Sequence, residues 1–429
     1  MRLNPIVTTW VAVVVAALAL GVAWAVLQPS GPALTQAAFS LDAITPNADG
    51  DRDVTRITYA LRLPATVSIQ LINAQGQAFY FRRDKPRDAG EYQLDFSGIV
   101  EPYALSGDSF VGELNARVLQ NGDYTWVVEA RDANGPSGRF TGVLTVANAD
   151  TTLPELLNLS VSPKLLTPNQ DGLDDRTNIN VALAKDIAPQ GLHVYLIGEN
   201  GAEISIAEKP SDRQPGEHGL HVYDYDGGID NGQKPPPDGE YMVRLEAEDL
   251  LGQKMTVSDT LTIRYGGLPR AEIVQGEVEW SAETLVLGQT LYFTLTVENY
   301  GTAPLRTSGP PPGAVYSSMN INANTLGEYT QSGAWRVGID CDTCIKDYPW
   351  RWGLGTPENL TLIPDANGQA QYYLMPGQKA IVTGGIVLDT LIESRNPQYF
   401  WTGLIHEDVG VDLVNDRVGQ QLTKIVPTE

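Results

Sequence analysis

Short segments of alternating apolar and polar residues run through most of this chain. In the segment 124–130, the side chains of Tyr124, Trp126, Val128 and Ala130 fall on one face, as in a strand with one buried side. Gly, Pro, Asn and Asp separate such segments and favour tight turns between strands. The pattern predicts an all-β protein of antiparallel β-sandwiches, with Trp126 in a core.

The chain also repeats itself. Residues 45–53, with the sequence TPNADGDRD, match residues 167–175, TPNQDGLDD, at a spacing of 122 residues. Two further landmarks follow in the same order in both copies: 71–76 with 196–201, and 121–132 with 238–249. Three landmarks in one order indicate a duplicated domain.

The second copy carries residues that resemble a known family. Its segment 223–232, YDYDGGIDNG, is followed by PPPDGEY at 235–241. This succession resembles the signature of the Ig-like domain of flagellar hook-capping proteins, and the opening TPNxDGxxD also resembles modules of bacterial surface proteins. The resemblance covers about residues 40–266 and implies tandem Ig-like sandwiches. The first copy departs from it, because a longer insertion around 100–113 replaces the Asp-Asn-Gly turn.

A third region lacks the opening motif but still alternates. Residues 290–299 form an alternating segment that ends in Asn299-Tyr300-Gly301, which resembles bacterial Ig-like adhesion modules over about thirty residues. The predicted organisation is therefore a sequence of five parts: an N-terminal anchor at 1–28, a linker at 29–39, Ig-like repeats at 40–150 and 151–267, and a third sandwich-like domain with long loops at 268–429.

The N-terminal stretch from Ile6 to Leu27 holds 22 residues without a charge, which is long enough to span a bilayer as a helix. Arg2 precedes it, so the positive-inside rule places the bulk of the chain outside the cytoplasm. Ala23-Trp24-Ala25 has the form that a signal peptidase accepts, so cleavage stays an alternative to a retained anchor. The prediction is a single-pass protein of the cell membrane.

Composition and charge narrow the function. The formal net charge is −23, so nucleic acid is a poor partner and divalent cations are plausible ones. The chain contains no nucleophile elbow, metal-binding His pair or Gly-rich phosphate loop, so we expect that it is not an enzyme.

The two repeated loops are the clearest candidates for a site. Asn and Asp side chains around a Gly turn supply the oxygen ligands that Ca²⁺ prefers, whereas the alternative is a turn whose side chains cap its own backbone. The candidate ligands are Asn47, Asp49, Asp51, Asp53, Asn169, Asp171, Asp174 and Asp175. A second acidic set, Asp224, Asp226 and Asp230, either completes the second site or forms a turn network.

Cys341 and Cys344 are the chain's two cysteines, and an exported chain favours a local disulfide between them over free thiols or a zinc half-site.

These features predict a membrane-anchored surface protein with a structural or adhesive role, in which the Ig-like repeats present the third domain to other envelope proteins. The aromatic cluster around Tyr348, Trp350 and Trp352 motivates an alternative, a subunit that binds surface polysaccharide, unless those rings are core. Self-association into a filament or coat is a third hypothesis, because sandwiches carry strand edges.

Overall fold

The computed structural model describes residues 16–17, 31–320, 329, 332–365 and 367–428. Apart from the helical residues 16–17, the regular structure of the described chain consists mainly of β-strands, so the all-β prediction is confirmed. Three short 3-10 helices are present at Ile229–Asn231, Glu393–Arg395 and Leu413–Asn415.

The first part of the chain forms ten strands: β1 Leu34–Phe39, β2 Ala43–Ile44, β3 Thr55–Leu61, β4 Ala65–Asn73, β5 Ala78–Arg87, β6 Gly90–Phe96, β7 Ile99–Val100, β8 Glu113–Val118, β9 Gly122–Asp132 and β10 Gly135–Val146. Eight of them make two sheets, in the orders β1-β3-β6 and β2-β10-β9-β4-β5. The inner faces of both sheets share one hydrophobic core. Trp126 lies in that core, as its place on the apolar face of β9 predicts.

The second sandwich repeats this plan with eight strands: β11 Leu156–Ser162, β12 Leu165–Leu166, β13 Thr177–Leu183, β14 Leu192–Ile197, β15 Glu203–Ile206, β16 Gly219–Tyr225, β17 Gly239–Glu248 and β18 Lys254–Ile263. One sheet has the order β11-β13-β16, and the other contains β15-β14-β17-β18 with β12 parallel to β18. Each strand occupies the position of its counterpart in the first sandwich. The tandem repeat inferred from the sequence is therefore present in the strand order.

The third part contributes thirteen strands: β19 Ala271–Trp280, β20 Thr284–Val286, β21 Thr290–Asn299, β22 Leu305–Thr307, β23 Val315–Ser317, β24 Trp335–Cys341, β25 Trp350–Gly353, β26 Thr361–Pro364, β27 Ala370–Leu374, β28 Lys379–Val387, β29 Gln398–His406, β30 Gly410–Val411 and β31 Val418–Val426. They form a four-stranded sheet, β19-β21-β28-β23, and a larger one around β31-β29-β24-β22-β27-β26. A separate hydrophobic core fills the space between these two sheets.

The first sandwich begins earlier than its predicted boundary. Strand β1 lies in the stretch 29–39 that the sequence predicts as a linker. The backbone N–H of Ala33 donates to Ser137 Oγ at 2.7 Å, and the Leu34 side chain enters the first core. The irregular segment that Pro and Gly produce ends by Pro32, and apolar burial orders the residues after it.

The predicted location in the cell membrane needs correction. Among the described residues, no helix is long and apolar enough to cross a membrane, so the single-pass localisation is not supported. The segment Ile6–Leu27 that motivated the prediction lies outside the described residues, apart from residues 16–17.

Candidate functional site

The two acidic loops have the same backbone conformation. Positive φ angles occur at alternate positions of each loop: 63° at Ala48, 87° at Gly50 and 54° at Arg52, and correspondingly 62° at Gln170, 80° at Gly172 and 51° at Asp174. Left-handed backbone is costly for residues other than glycine. The loops therefore need strong local hydrogen bonds to hold this shape.

The last aspartate of each loop supplies those bonds. Asp53 Oδ1 accepts from the backbone N–H groups of Asn47 and Ala48, both at 2.9 Å, and Oδ2 accepts from Gly50 N–H at 2.7 Å. Asp175 accepts from the equivalent three N–H groups of the second loop at distances between 2.6 and 3.1 Å. Each carboxylate closes its own loop as a cap.

The other candidate ligands also bond to the backbone of their loop. Asn47 Oδ1 accepts from Asp49 N–H at 3.0 Å, and Asp49 Oδ1 accepts from Asp51 N–H at 2.8 Å, which lowers the Asp49 pKa. The second loop repeats both contacts, from Asp171 N–H to Asn169 Oδ1 and from Leu173 N–H to Asp171 Oδ1. The carbonyls of Asp51 and Asp174 accept from Thr45 Oγ1 and Thr167 N–H, respectively.

The contacts of both loops favour the turn alternative, and the calcium site stays a prediction. Ca²⁺ needs six to eight oxygen ligands pointing at one centre, whereas many of the carboxylate oxygens here point at backbone N–H groups. Within the described part of the chain, no group of three or more His, Cys, Asp or Glu residues could hold a metal ion. The turn alternative accounts for these backbone hydrogen bonds in both loops.

The two loops differ in their surroundings. Asp49 and Gly50 are exposed, whereas Asp171 is 2% exposed and Asn169 is equally buried. The second loop lies against the third sandwich. The two copies of the loop therefore share a local structure, but among the described residues only the second copy forms a contact between domains.

Two side chains of the third sandwich bind the second loop. Tyr373 Oη donates to Asp171 Oδ2 at 2.8 Å, and His406 Nε2 lies 2.7 Å from the carbonyl oxygen of Gln170. The His406 ring stacks on Trp335, with ring centroids 4.5 Å apart. The sequence signal for this contact was weak, because Tyr373 and His406 are more than 200 positions away from the loop.

Backbone packing completes the junction. A Cβ atom placed on Gly172 would lie 2.3 Å from the carbonyl oxygen of Ser332, and one on Gly333 would lie 2.1 Å from the carbonyl carbon of Asp171. Real Cβ atoms essentially never approach that closely. The two glycines let the backbones of the second and third sandwiches touch.

Burial at this junction shifts several pKa values. Desolvation, with repulsion from Asp175, raises the pKa of Asp171 to about 6. Desolvation and the nearby Asp171 charge raise the pKa of Tyr373, and desolvation lowers the pKa of His406. A neutral imidazole and a hydroxyl donor suit this dry contact.

A buried ion network supports the face that receives the loop. Glu407 follows His406 and accepts from Arg336 at 3.0 Å and from Arg351 at 2.7 Å. Gly333 N–H donates to the carbonyl oxygen of Glu407 at 2.8 Å. Because Arg336 and Glu407 are both buried, loss of one partner would leave an uncompensated charge.

The junction between the first and second sandwiches is held by strand pairing and buried polar contacts. The insertion that distinguishes the first repeat lies between β7 and β8, and β8 pairs antiparallel with β18, extending the sheet of the second sandwich. Gln253 is fully buried and donates to the carbonyl oxygens of Asp150 and Thr152 at 3.1 and 2.9 Å. Lys185 forms ion pairs with Asp150 and Asp249. The insertion thus joins two domains.

The second acidic set forms a turn network. Arg176 binds Asp224 at 2.8 Å and Asp230 at 2.7 Å, and Asp226 accepts from the N–H groups of Gly228 and Asp230. These contacts agree with the turn alternative.

The aromatic cluster of the third region is core. Trp350 and Trp352 are 2% and 0% exposed and belong to the third hydrophobic core. Tyr348, Tyr373, Phe400 and Trp401 are buried as well. Burial removes the observation that motivated the polysaccharide-binding alternative.

Cys341 and Cys344 are joined by a disulfide, with their Cα atoms 5.1 Å apart. The bond closes a turn at the end of β24, where Cys344 N–H donates to the carbonyl oxygen of Cys341.

Comparisons with known proteins leave the family open. No family model and no curated protein matches the chain. Among solved structures, it is similar to a tetra-tandem repeat from the extending region of a large adhesion protein, at 12% identity over 92% of this chain and 73% of that one, with a TM-score of 0.19. It is also similar to a Ca²⁺-stabilised adhesin that helps an Antarctic bacterium bind ice, at 12% identity over 94% and 75%, with a TM-score of 0.25. A two-domain fibronectin type III segment of chicken tenascin matches at 11% identity over 53% and 98%, with a TM-score of 0.17. Likeness at this level assigns neither a family nor a function.

Proposed function

We propose that this protein is a structural, non-catalytic surface protein in which tandem Ig-like sandwiches form a stiff unit that presents the third sandwich to a partner. The main support for the proposal is that both junctions between neighbouring domains are held by specific contacts. Strand β8 of the first domain extends a sheet of the second domain, and Asn169 and Asp171 of the second acidic loop are buried against the third. Independent domains on flexible linkers would need neither device.

The roles of buried polar groups support a structural assignment. Asp171 and His406 have shifted pKa values, which at many sites accompany catalysis. Here each is engaged with a group across a domain junction, and Asp53 and Asp175 cap their own loops. The Cys341–Cys344 disulfide is consistent with an oxidising environment, which is where a surface protein would lie.

A matched glycine pair tests the proposal. Gly112 and Gly107 both have φ of 96°, so alanine strains the backbone equally at either position. A Cβ on Gly112 would lie 2.3 Å from the carbonyl oxygen of Thr256 in β18, whereas a Cβ on Gly107 meets nothing within 4 Å. Small-angle X-ray scattering of Gly112→Ala should show a more flexible particle. Gly107→Ala should scatter like the unmodified protein.

The unmodified protein should itself scatter as one rigid particle. A profile typical of sandwiches that reorient independently would contradict the proposed stiff unit.

A further inference from the structure

Strand β5 concentrates positive charge in a strongly acidic protein. It carries Arg82, Arg83, Lys85 and Arg87 within six positions, although the chain has a net charge of −23. It is the edge strand of its sheet and follows β4 in the strand order. Glu101 N–H bonds to the carbonyl oxygen of Tyr80 near the start of β5.

Among the described residues, one of these four basic side chains forms an ion pair. Arg83 pairs with Glu101 at 2.7 Å, but Arg82, Lys85 and Arg87 form no ion pair with any residue that the structure describes. We call these three residues the basic edge. The Arg87 Nε atom is buried without a hydrogen-bond partner, and burial together with the Arg87 charge lowers the pKa of Arg82. Arg82 lies over the Phe81 ring and Arg87 over the Tyr92 ring, and neither contact neutralises the positive charge of its guanidinium group.

An acidic counterpart lies on the third sandwich. Strand β19 and the turn after it carry four glutamates, here called the acidic strand: Glu272, Glu277, Glu279 and Glu283. Three of them are exposed, and none forms an ion pair with a described residue. Asn415 already bonds to the backbone of Ala271 and Ile273. The acidic strand therefore offers side-chain charge rather than a free edge for strand pairing.

We propose that the basic edge of one copy docks on the acidic strand of a second copy. The two surfaces have opposite charge, lie on the first and third sandwiches, and are not paired with each other within one chain. A contact between two different surfaces is heterologous, so repetition joins copies head to tail. Because two chains of charge −23 repel overall, the attraction is local and sensitive to salt. This inference goes beyond the stiff-unit proposal and does not depend on it.

Sedimentation velocity of the purified protein tests the contact. Association that grows with protein concentration is expected at about 50 mM NaCl and is lost at about 500 mM, where the Debye length falls to roughly 4 Å. Two charge-reversed variants probe the surfaces, Arg82→Glu with Lys85→Glu, and Glu277→Lys with Glu279→Lys. Each variant alone should associate about tenfold more weakly or not at all.

Mixing the two variants provides the decisive control. The reversed basic edge of the first is complementary to the reversed acidic strand of the second, and their two remaining surfaces also match. An equimolar mixture should therefore recover association, which misfolded variants would not do. A monomeric unmodified protein at low salt, or a mixture as weak as its components, would overturn the proposal. Binding of polygalacturonate that is lost in the Arg82 and Lys85 variant, with no self-association, would assign the basic edge to an acidic polysaccharide instead.

Discussion

The equivalent glycines of the two acidic loops allow the second junction to be perturbed with an internal control. Gly50 and Gly172 have φ angles of 87° and 80°. Alanine should therefore cost roughly 1–2 kcal/mol of backbone strain at either position. A Cβ on Gly50 meets nothing within 4 Å, whereas one on Gly172 would lie 2.3 Å from the carbonyl oxygen of Ser332. The difference in unfolding free energy between the two variants therefore measures the contribution of the contact with the third sandwich.

The size of that difference follows from the contacts that must separate. Relief of the overlap requires the loop to move away from the third sandwich by nearly 1 Å. The Tyr373 bond to the Asp171 carboxylate is worth about 1.5–3 kcal/mol, and the His406 bond to the Gln170 carbonyl about 0.5–1.5 kcal/mol. Gly172→Ala should therefore lose about 2–4 kcal/mol more than Gly50→Ala.

Two measurements check this expectation. Guanidinium denaturation gives the free energy of unfolding for both variants, and hydrogen exchange followed by mass spectrometry reports on the junction directly. Peptides covering residues 332–341 and 169–175 should exchange faster in Gly172→Ala and remain protected in Gly50→Ala. Equal losses of stability, with unchanged exchange at residues 332–341, would refute the assignment of Gly172 to a domain contact.

Three further expectations follow from the same sites. Asp53→Ala should lower stability by about 1–2 kcal/mol even in excess chelator, because three backbone N–H groups lose their acceptor; an effect seen only with calcium present would favour the metal hypothesis. The folded pKa of Asp171 is raised to about 6 from 3.8, so the folded state binds more protons than the unfolded state between these values and this group's contribution to stability falls as pH rises through that window. The free energy of unfolding of Asp171→Asn, relative to that of the unmodified protein, should therefore rise by up to about 3 kcal/mol between pH 4 and pH 7.5. A difference that does not change with pH would contradict this. Cys341 and Cys344 should resist a maleimide until a reductant is added, whereas immediate labelling of both would exclude the disulfide in solution.

Local sequence patterns predicted the elements that depend on local physics. Period-two alternation identified β9 and placed Trp126 in a core, because a strand with one buried face leaves that signature wherever it occurs. The repeated TPNxDG motif identified the duplication, and both copies fold with the same capped backbone. Those features require only residues within a few positions of each other or within one domain.

The candidate site could not be predicted in the same way, because its properties arise between domains. Asn47 and Asn169 begin loops with the same hydrogen bonds, yet the second loop is bound by Tyr373 and His406 from a domain that lacks the opening motif of the repeats. Nothing local in the first repeat indicates that strand β8, which pairs with β7 of its own domain, also pairs with β18 of the second domain.

The two acidic loops share one local structure and differ in what surrounds them. In both repeats the loop is stabilised by its last aspartate and adopts the same left-handed positions. Burial against a neighbour adds a separate requirement, because the free space around Gly50 is filled by Ser332 around Gly172. A larger residue at position 50 should therefore perturb only the first loop, whereas at position 172 it should also separate two domains. The shared motif thus determines the conformation of both loops, whereas the contacts with the third sandwich determine the role of the second loop at the domain junction.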